Sequence, residues 1–155
     1  MAENASISSL LDRVARTAPF HRELAKLGTE EQAVFDHTAL PGVPFVAALC
    51  INSVPDTCRT WVVTPHLRAQ ESVASQLETW GVHNILFVPE KEVALGEEIG
   101  DPELTAERLN VLHRIASGQI GRQTVVLTEN SLNDEVPSTR GMQNQGMVLK
   151  AGETR

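Results

Sequence analysis

The segment Leu40-Pro41-Gly42-Val43-Pro44 has the makings of an anion-binding turn. A short apolar-flanked run, Ala33 to Leu40, leads into it, and a hydrophobic helix, Phe45 to Ile51, leads out. Strand, glycine-containing turn and helix in that order place backbone N–H groups at a helix N-terminus, where they cradle a phosphate. A working phosphate loop also needs a second glycine, a lysine for the β- and γ-phosphates and a Ser or Thr for Mg²⁺. Val43, Pro44 and Phe45 stand there instead, and Pro44 removes one of the N–H donors. The layout of a nucleotide site is present without its chemistry, and the expectation is that ATP and other cofactors do not bind.

A second set of groups falls near strand ends. Thr64, His66, Glu90 and Thr128 each follow or close an apolar run, the place where doubly wound sheets bind ligands. Within this set, Thr64-Pro65-His66-Leu67-Arg68-Ala69-Gln70 is also how helicase-type ATPases build a phosphate-contacting helix start. Capping by Thr64, with Pro65 in the first turn, accounts for the same residues without any ligand.

Other chemistries find little support. Glu90, Glu92, Glu97, Glu98, Asp101, Glu103 and Glu107 form an acidic stretch, but they spread over a loop containing Gly96 and Gly100 and hold no histidine. A solvated loop explains them, with Arg108 pairing on the surface with Glu103 or the neighbours of Glu107. The five histidines, His21, His37, His66, His83 and His113, form no i, i+4 pair and no HExxH arrangement, so no metal site is expected. No G-x-S-x-G elbow surrounds a serine, which leaves Ser53 and Ser131 as turn residues. Cys50 lies in an apolar helix and Cys58 in a loop, too far apart for a CxxC motif. Trp61 and Trp80 read as core or subunit-contact residues.

The elements that position these groups follow a regular alternation. Ile7, Leu10, Leu11, Val14 and Ala15 recur at helical spacing behind Ser6, and Pro19 ends that helix. A second helix runs from His21 to Leu27 and stops at Gly28. After the Gly42 turn come a strand over Thr60–Val63, a helix with Leu67, Val73, Ala74, Leu77 and Trp80 on one face, and a strand over Asn84–Val88. A helix from Pro102 to Ser117 follows, with Leu104, Leu109, Leu112, Ile115 and Ala116 inward. Gly118 and Gly121 break it before a strand at Thr124–Leu127. The pattern predicts an α/β fold: a parallel sheet of about four strands with helices on both faces and an amino-terminal helical arm. The expected organisation is an arm over 1–28, the α/β domain over 29–138, and a linker with the start of a second domain over 139–155. Leu132 and Val136 suggest a short helical turn, Pro137–Asn144 a polar linker, and Gly146–Lys150 the opening strand of something that stops short.

The chain has 155 residues, a hydrophobic fraction of 41%, 21% charged residues and a net charge of −7. That is one globular domain able to bury a core without disulfides or metal. Its acidity argues against independent binding to a phosphate backbone. Asp12, Arg13 and Arg16 interrupt any secretory h-region, and no run approaches membrane-spanning length, so the chain reads as cytosolic, or cytoplasmic, with no membrane partner.

Read together, Phe87-Val88-Pro89-Glu90, Asp101-Pro102-Glu103-Leu104, Glu107-Arg108-Leu109-Asn110-Val111-Leu112, Val125-Val126-Leu127-Thr128, Ser131-Leu132 and Val136-Pro137-Ser138 resemble the amino-terminal module of the bacterial transcription-repair coupling factor. In that family the module is similar to the first domain of excinuclease B, a helicase-like protein of nucleotide excision repair. The likeness spans residues 30–155 and rests on motif order: a Leu-Pro-Gly loop, a strand ending in Thr-Pro, a strand ending in Pro-Glu, a Glu-Arg-Leu helix and a Val-rich strand. Leu149-Lys150-Ala151-Gly152-Glu153 is similar to the opening of the inserted domain that docks excinuclease A. The resemblance implies an incomplete P-loop, helicase-like (RecA-like) fold whose loop is degenerate, as in the coupling factor rather than in excinuclease B. It also implies a DNA-repair scaffold that is not itself an enzyme. Partners would be excinuclease A and RNA polymerase through the full-length protein, which is an ATP-dependent translocase, and DNA only through domains beyond this chain. The rival expectation is an autonomous small α/β enzyme or ligand-binding domain using Thr64, His66, Glu90 and Thr128. If further strands normally complete the sheet, an unpaired edge promotes self-association.

Overall fold

The computed structural model describes residues 2–27, 29, 32–91, 101–117, 122–138 and 140–141. Six α-helices and three strands appear among them: α1 (Ala2–Ala15), α2 (Ala18–Leu24), α3 (Val43–Ser53), β1 (Arg59–Thr64), α4 (Leu67–Thr79), β2 (Ile85–Phe87), α5 (Pro102–Ala116), β3 (Gln123–Thr128) and α6 (Glu129–Asn133). The strands form one parallel sheet in the order β1-β3-β2. β3 is central and wholly buried, as expected of a Val-rich run covered on both faces.

Side-chain alternation along β3 divides the core into two layers. Val126 points to one face, where it joins Leu49 and Ile51 of α3, Leu77 of α4 and Leu11 of α1, with Val62 and Ile85 packed alongside. Val125 and Leu127 point to the other face and meet Leu86, Val88 and the α5 residues Val111 and Ile115. Helices therefore cover both faces, and the α/β expectation holds at that level. Phe45 packs edge-on against Trp80 at 4.8 Å between ring centres, which ties the start of α3 to the end of α4.

The expected strand over Ala33–Leu40 does not form. Residues 32–39 are irregular, and the sheet has three strands among the described residues rather than four. His37 takes a left-handed conformation (φ 59°), which breaks an extended run. The segment is held by the arm instead: Phe35 stacks on Phe20 at 5.7 Å, and the Val34 N–H donates to the Glu23 carboxylate at 3.3 Å. Glu23 also accepts from Lys26 Nζ at 2.7 Å, and these bonds, the lysine's first, hold its carboxyl below the usual carboxylate range.

Smaller corrections follow the same logic. Pro19 opens α2 from its first turn rather than ending α1. Leu67 and Leu109, expected inward, are 41% and 43% exposed, whereas Gln70 and Arg108 are buried. The part of the acidic loop beyond Lys91 (Glu92, Gly96, Glu97, Glu98, Gly100), the glycines at 28, 118 and 121, and the strand and second-domain start expected over 146–153 lie outside the described residues. No helix among the described residues is long and apolar enough to cross a membrane.

Candidate functional site at the carboxyl ends of the strands

The loop over Leu40–Pro44 is a turn of 3-10 helix, Leu40–Gly42, running directly into α3. Gly42 has an ordinary right-handed backbone (φ −86°, ψ −14°). A Cβ there would meet only the Thr38 methyl at 3.5 Å, an ordinary contact, so neither conformation nor space calls for glycine. Its N–H already donates to the Ala39 carbonyl at 2.7 Å. Pro44 is buried, Leu40 is 87% exposed, and no side chain caps the start of α3. The phosphate-loop layout expected of these residues is thus absent on its strand side and depleted in donors on its helix side.

Thr64, Glu90 and Thr128 do converge, at the carboxyl ends of the strands. Thr64 closes β1 and donates to the Leu127 carbonyl at 3.2 Å. Thr128 closes β3, caps α6 by accepting from the Ser131 N–H at 3.1 Å, and donates to Glu90 Oε1 at 2.5 Å. A hydroxyl held by a carboxylate is the arrangement of a nucleophile and its base. Here the threonine is fully buried, at 0% exposure, so no substrate reaches its oxygen. His66 stands apart from this group. It is exposed, and its Nδ1 caps α4 by accepting from the Ala69 N–H at 3.1 Å. The cap of α4 is therefore His66, not Thr64, because Pro65 lies outside the helix and Leu67 is its first residue.

Two buried side chains whose burial the sequence reading does not anticipate complete the cluster. Gln70, at 0% exposure, reaches from α4 across the strand ends and donates through Nε2 to the Val88 carbonyl at 2.8 Å and the Val126 carbonyl at 2.9 Å. Its Oε1 has no hydrogen-bond partner among the described residues. Arg108, expected on the surface beside Glu103, is 8% exposed. Its Nη1 donates to the Pro89 carbonyl at 2.5 Å, and its Nη2 lies 3.0 Å from Asp134 Oδ2 without hydrogen-bond alignment. Periodicity does carry both residues. Gln70 falls with Val73, Ala74 and Leu77 at spacings of three, four and seven, and Arg108 with Leu104, Val111 and Ile115. Polarity masks their membership of the apolar stripe.

At the opposite end of the sheet Arg122 makes a clasp of its own. Nη1 donates to Asn52 Oδ1 at 3.0 Å, Nη2 donates to the Val54 carbonyl at 2.8 Å, and Asp56 Oδ1 sits 2.7 Å from Nη2. The end of α3, the loop before β1 and the start of β3 are joined by this one guanidinium. A polar cavity of about 470 Å³ beside it is lined by Asp12, Trp80 and His83.

Among the described residues no group of three or more His, Cys, Asp or Glu side chains is placed to hold a metal ion. His21, His37, His66, His83 and His113 are exposed on separate elements, and Glu103 and Glu107 face solvent. Cys50 is half-buried against the first core layer, and burial pushes its thiol pKa up, which makes it a poor nucleophile. No protein-family model, curated protein or solved structure matches the chain.

Proposed function

We propose that this chain is a non-catalytic α/β module, similar to the amino-terminal module of the bacterial transcription-repair coupling factor, acting as a scaffold in transcription-coupled nucleotide excision repair. The observation that carries this reading is the occupation of the carboxyl ends of the strands by the chain's own side chains. In a ligand-binding doubly wound sheet that crevice receives the substrate. Here Gln70 reaches across it on one side of β3, Thr128 and Glu90 are bonded to each other, and on the other side Arg108 is bonded to the Pro89 carbonyl, where it lines a groove of about 330 Å³.

The residues that suggest the resemblance meet in this cluster. The Pro-Glu strand end and the Glu-Arg-Leu helix are joined by the Arg108–Pro89 bond, and the Val-rich strand joins them through Thr128 and Glu90. Motif order is then accounted for as a structural brace rather than as a reaction centre. A helicase-like, RecA-like lineage fits the parallel sheet with a glycine turn ahead of its first helix on one face, although that turn follows an irregular segment instead of a strand. In the family such a module carries the domain that docks excinuclease A, while the motor and the RNA-polymerase contact lie elsewhere.

Differential scanning fluorimetry against nucleotides, sugar phosphates, amino acids and divalent metals tests the reading against an autonomous enzyme. A scaffold is expected to show no stabilisation by any class at millimolar concentration. A reproducible rise with one metabolite class, lost in Thr128→Val, contradicts it.

A further inference from the structure

α1 fills only half of the cleft in which it sits. Ile7, Leu11, Val14 and Ala15 recur at i, i+4, i+7 and i+8 and pack on the first core layer, which holds Leu77, Trp80 and Val82. Leu11, at 5% exposure, is the one fully buried α1 side chain among the described residues. No hydrogen bond or ion pair among them joins the helix to the rest of the chain, beyond the turn at Arg16 and Thr17 that closes its own end. The polar side of the seat is left unfilled. Ser8 and Asp12, each one position after an apolar anchor, line the 470 Å³ cavity beside Trp80, His83 and Arg122. Both terminal nitrogens of Arg122 are engaged, with Asn52, Val54 and Asp56, but its buried Nε has no hydrogen-bond partner among the described residues. Asp12 forms no ion pair among them either. A buried donor without an acceptor is unfavourable, so the cavity is suited to a group that α1 does not supply.

We propose that α1 is the displaceable occupant of a helix-binding cleft, and that the cleft takes an amphipathic helix of a partner protein in its place. Two features of that helix follow from the way α1 fits. Its apolar residues repeat at the spacing of Ile7, Leu11 and Val14, because Leu77, Trp80 and Val82 form the floor that α1 already occupies. The position after its central apolar residue carries an acceptor longer than Asp12, a glutamate, which enters the cavity and accepts from Arg122 Nε. Such a helix keeps the apolar contacts of α1 and adds a charge-assisted bond that α1 lacks. The connection permits the exchange. Thr17 is extended between α1 and α2 (φ −69°, ψ 142°), while α2 stays anchored by buried Leu24 and by the stack of Phe20 on Phe35. α1 thereby acts as an autoinhibitory plug, and the partner's apparent affinity is reduced by the fraction of molecules in which the cleft is open.

Fluorescence anisotropy with a labelled peptide of residues 1–17 carrying Asp12→Glu tests the cleft, with the full chain as receptor. Saturable binding is expected, about fivefold or more tighter than for the peptide of native sequence and abolished by Leu11→Asp in the peptide. Leu11→Asp in the chain instead unseats α1, and should tighten peptide binding by about tenfold or more. Amide exchange on the wild-type chain supplies a readout that needs no variant: α1 amides should exchange through openings about a hundredfold or more populated than the global unfolding that β3 amides report. Absence of binding to both chains overturns the proposal, as do equal affinities of the two peptides or α1 amides that exchange only with global unfolding. α1 protection that rises with protein concentration also overturns it, since the occupant is then α1 of a second copy. None of these readouts involves a nucleotide or metabolite, so this inference and the scaffold reading fail separately.

Discussion

Replacing Arg108 with alanine is expected to lower the unfolding free energy by about 3 kcal/mol. Three losses combine. The buried Pro89 carbonyl loses its donor, Asp134 loses its only cationic neighbour among the described residues, and the aliphatic stem leaves a void between α5 and β2. The loss of the ion pair is discounted because the Asp134 side chain is 26% exposed and regains water. Arg108→Met separates packing from polarity, since it refills the volume and restores no donor; about half the loss should remain. Urea unfolding followed by far-ultraviolet circular dichroism measures both variants. A loss below about 1 kcal/mol for Arg108→Ala is the size of an ordinary surface change and would remove Arg108 from the brace.

Gln70→Glu should be still more costly near neutral pH, by about 3 kcal/mol or more, with a pH dependence of defined sign. Nε2 donates to the Val88 and Val126 carbonyls in a fully buried site, and a carboxylate in its place points a negative charge at two carbonyl oxygens. Burial and those oxygens both raise the introduced pKa above the ordinary glutamate value of about 4.3. The folded state then holds its proton to higher pH than the unfolded state. Stability should therefore be greatest below the unfolded pKa and fall as pH rises towards the raised folded pKa. At its greatest it should stand about 1 kcal/mol short of the wild type, because a protonated carboxyl donates one bond where the amide donates two. Gln70→Leu, which removes the unpartnered Oε1 along with the two donated bonds, should cost about 2 kcal/mol with no such pH dependence. Melting midpoints of the three proteins across acidic and neutral pH would separate these outcomes. Parallel curves for Gln70→Glu and Gln70→Leu would show that Gln70 does not hold the strand ends.

How far the sequence discloses this arrangement depends on what kind of signal each element gives. β3 and α4 are legible because a covered parallel strand reads as a continuous apolar run and an amphipathic helix as a stripe. The Ala33–Leu40 run misleads because Phe35 stacks on Phe20 of α2, a long-range contact that local pattern does not contain, while Val34 and Leu40 stay exposed. Register explains why the strand-end residues are half legible. Thr64, Glu90 and Thr128 come together as their positions suggest, but only the fold reveals that Thr128 is closed to solvent and already bonded to Glu90. Gln70 and Arg108 sit on apolar stripes in plain view, but polarity sends Arg108 to the surface and leaves Gln70 as part of a helix start. A polar residue at a core position of a strong stripe is better read as a bonded brace. The Gly42 turn illustrates the converse, since its composition suggests a phosphate loop while its backbone needs no glycine at all.

The sheet of this chain is braced by its own polar groups, and on this view the Leu40–Pro44 turn holds no nucleotide. Isothermal titration of the full chain with ATP and Mg²⁺ addresses that claim directly. With the Gly42 N–H already bonded to Ala39, Pro44 lacking a donor and no lysine in the turn, only the heat of dilution is expected up to millimolar nucleotide. Saturable binding with a micromolar Kd would contradict it.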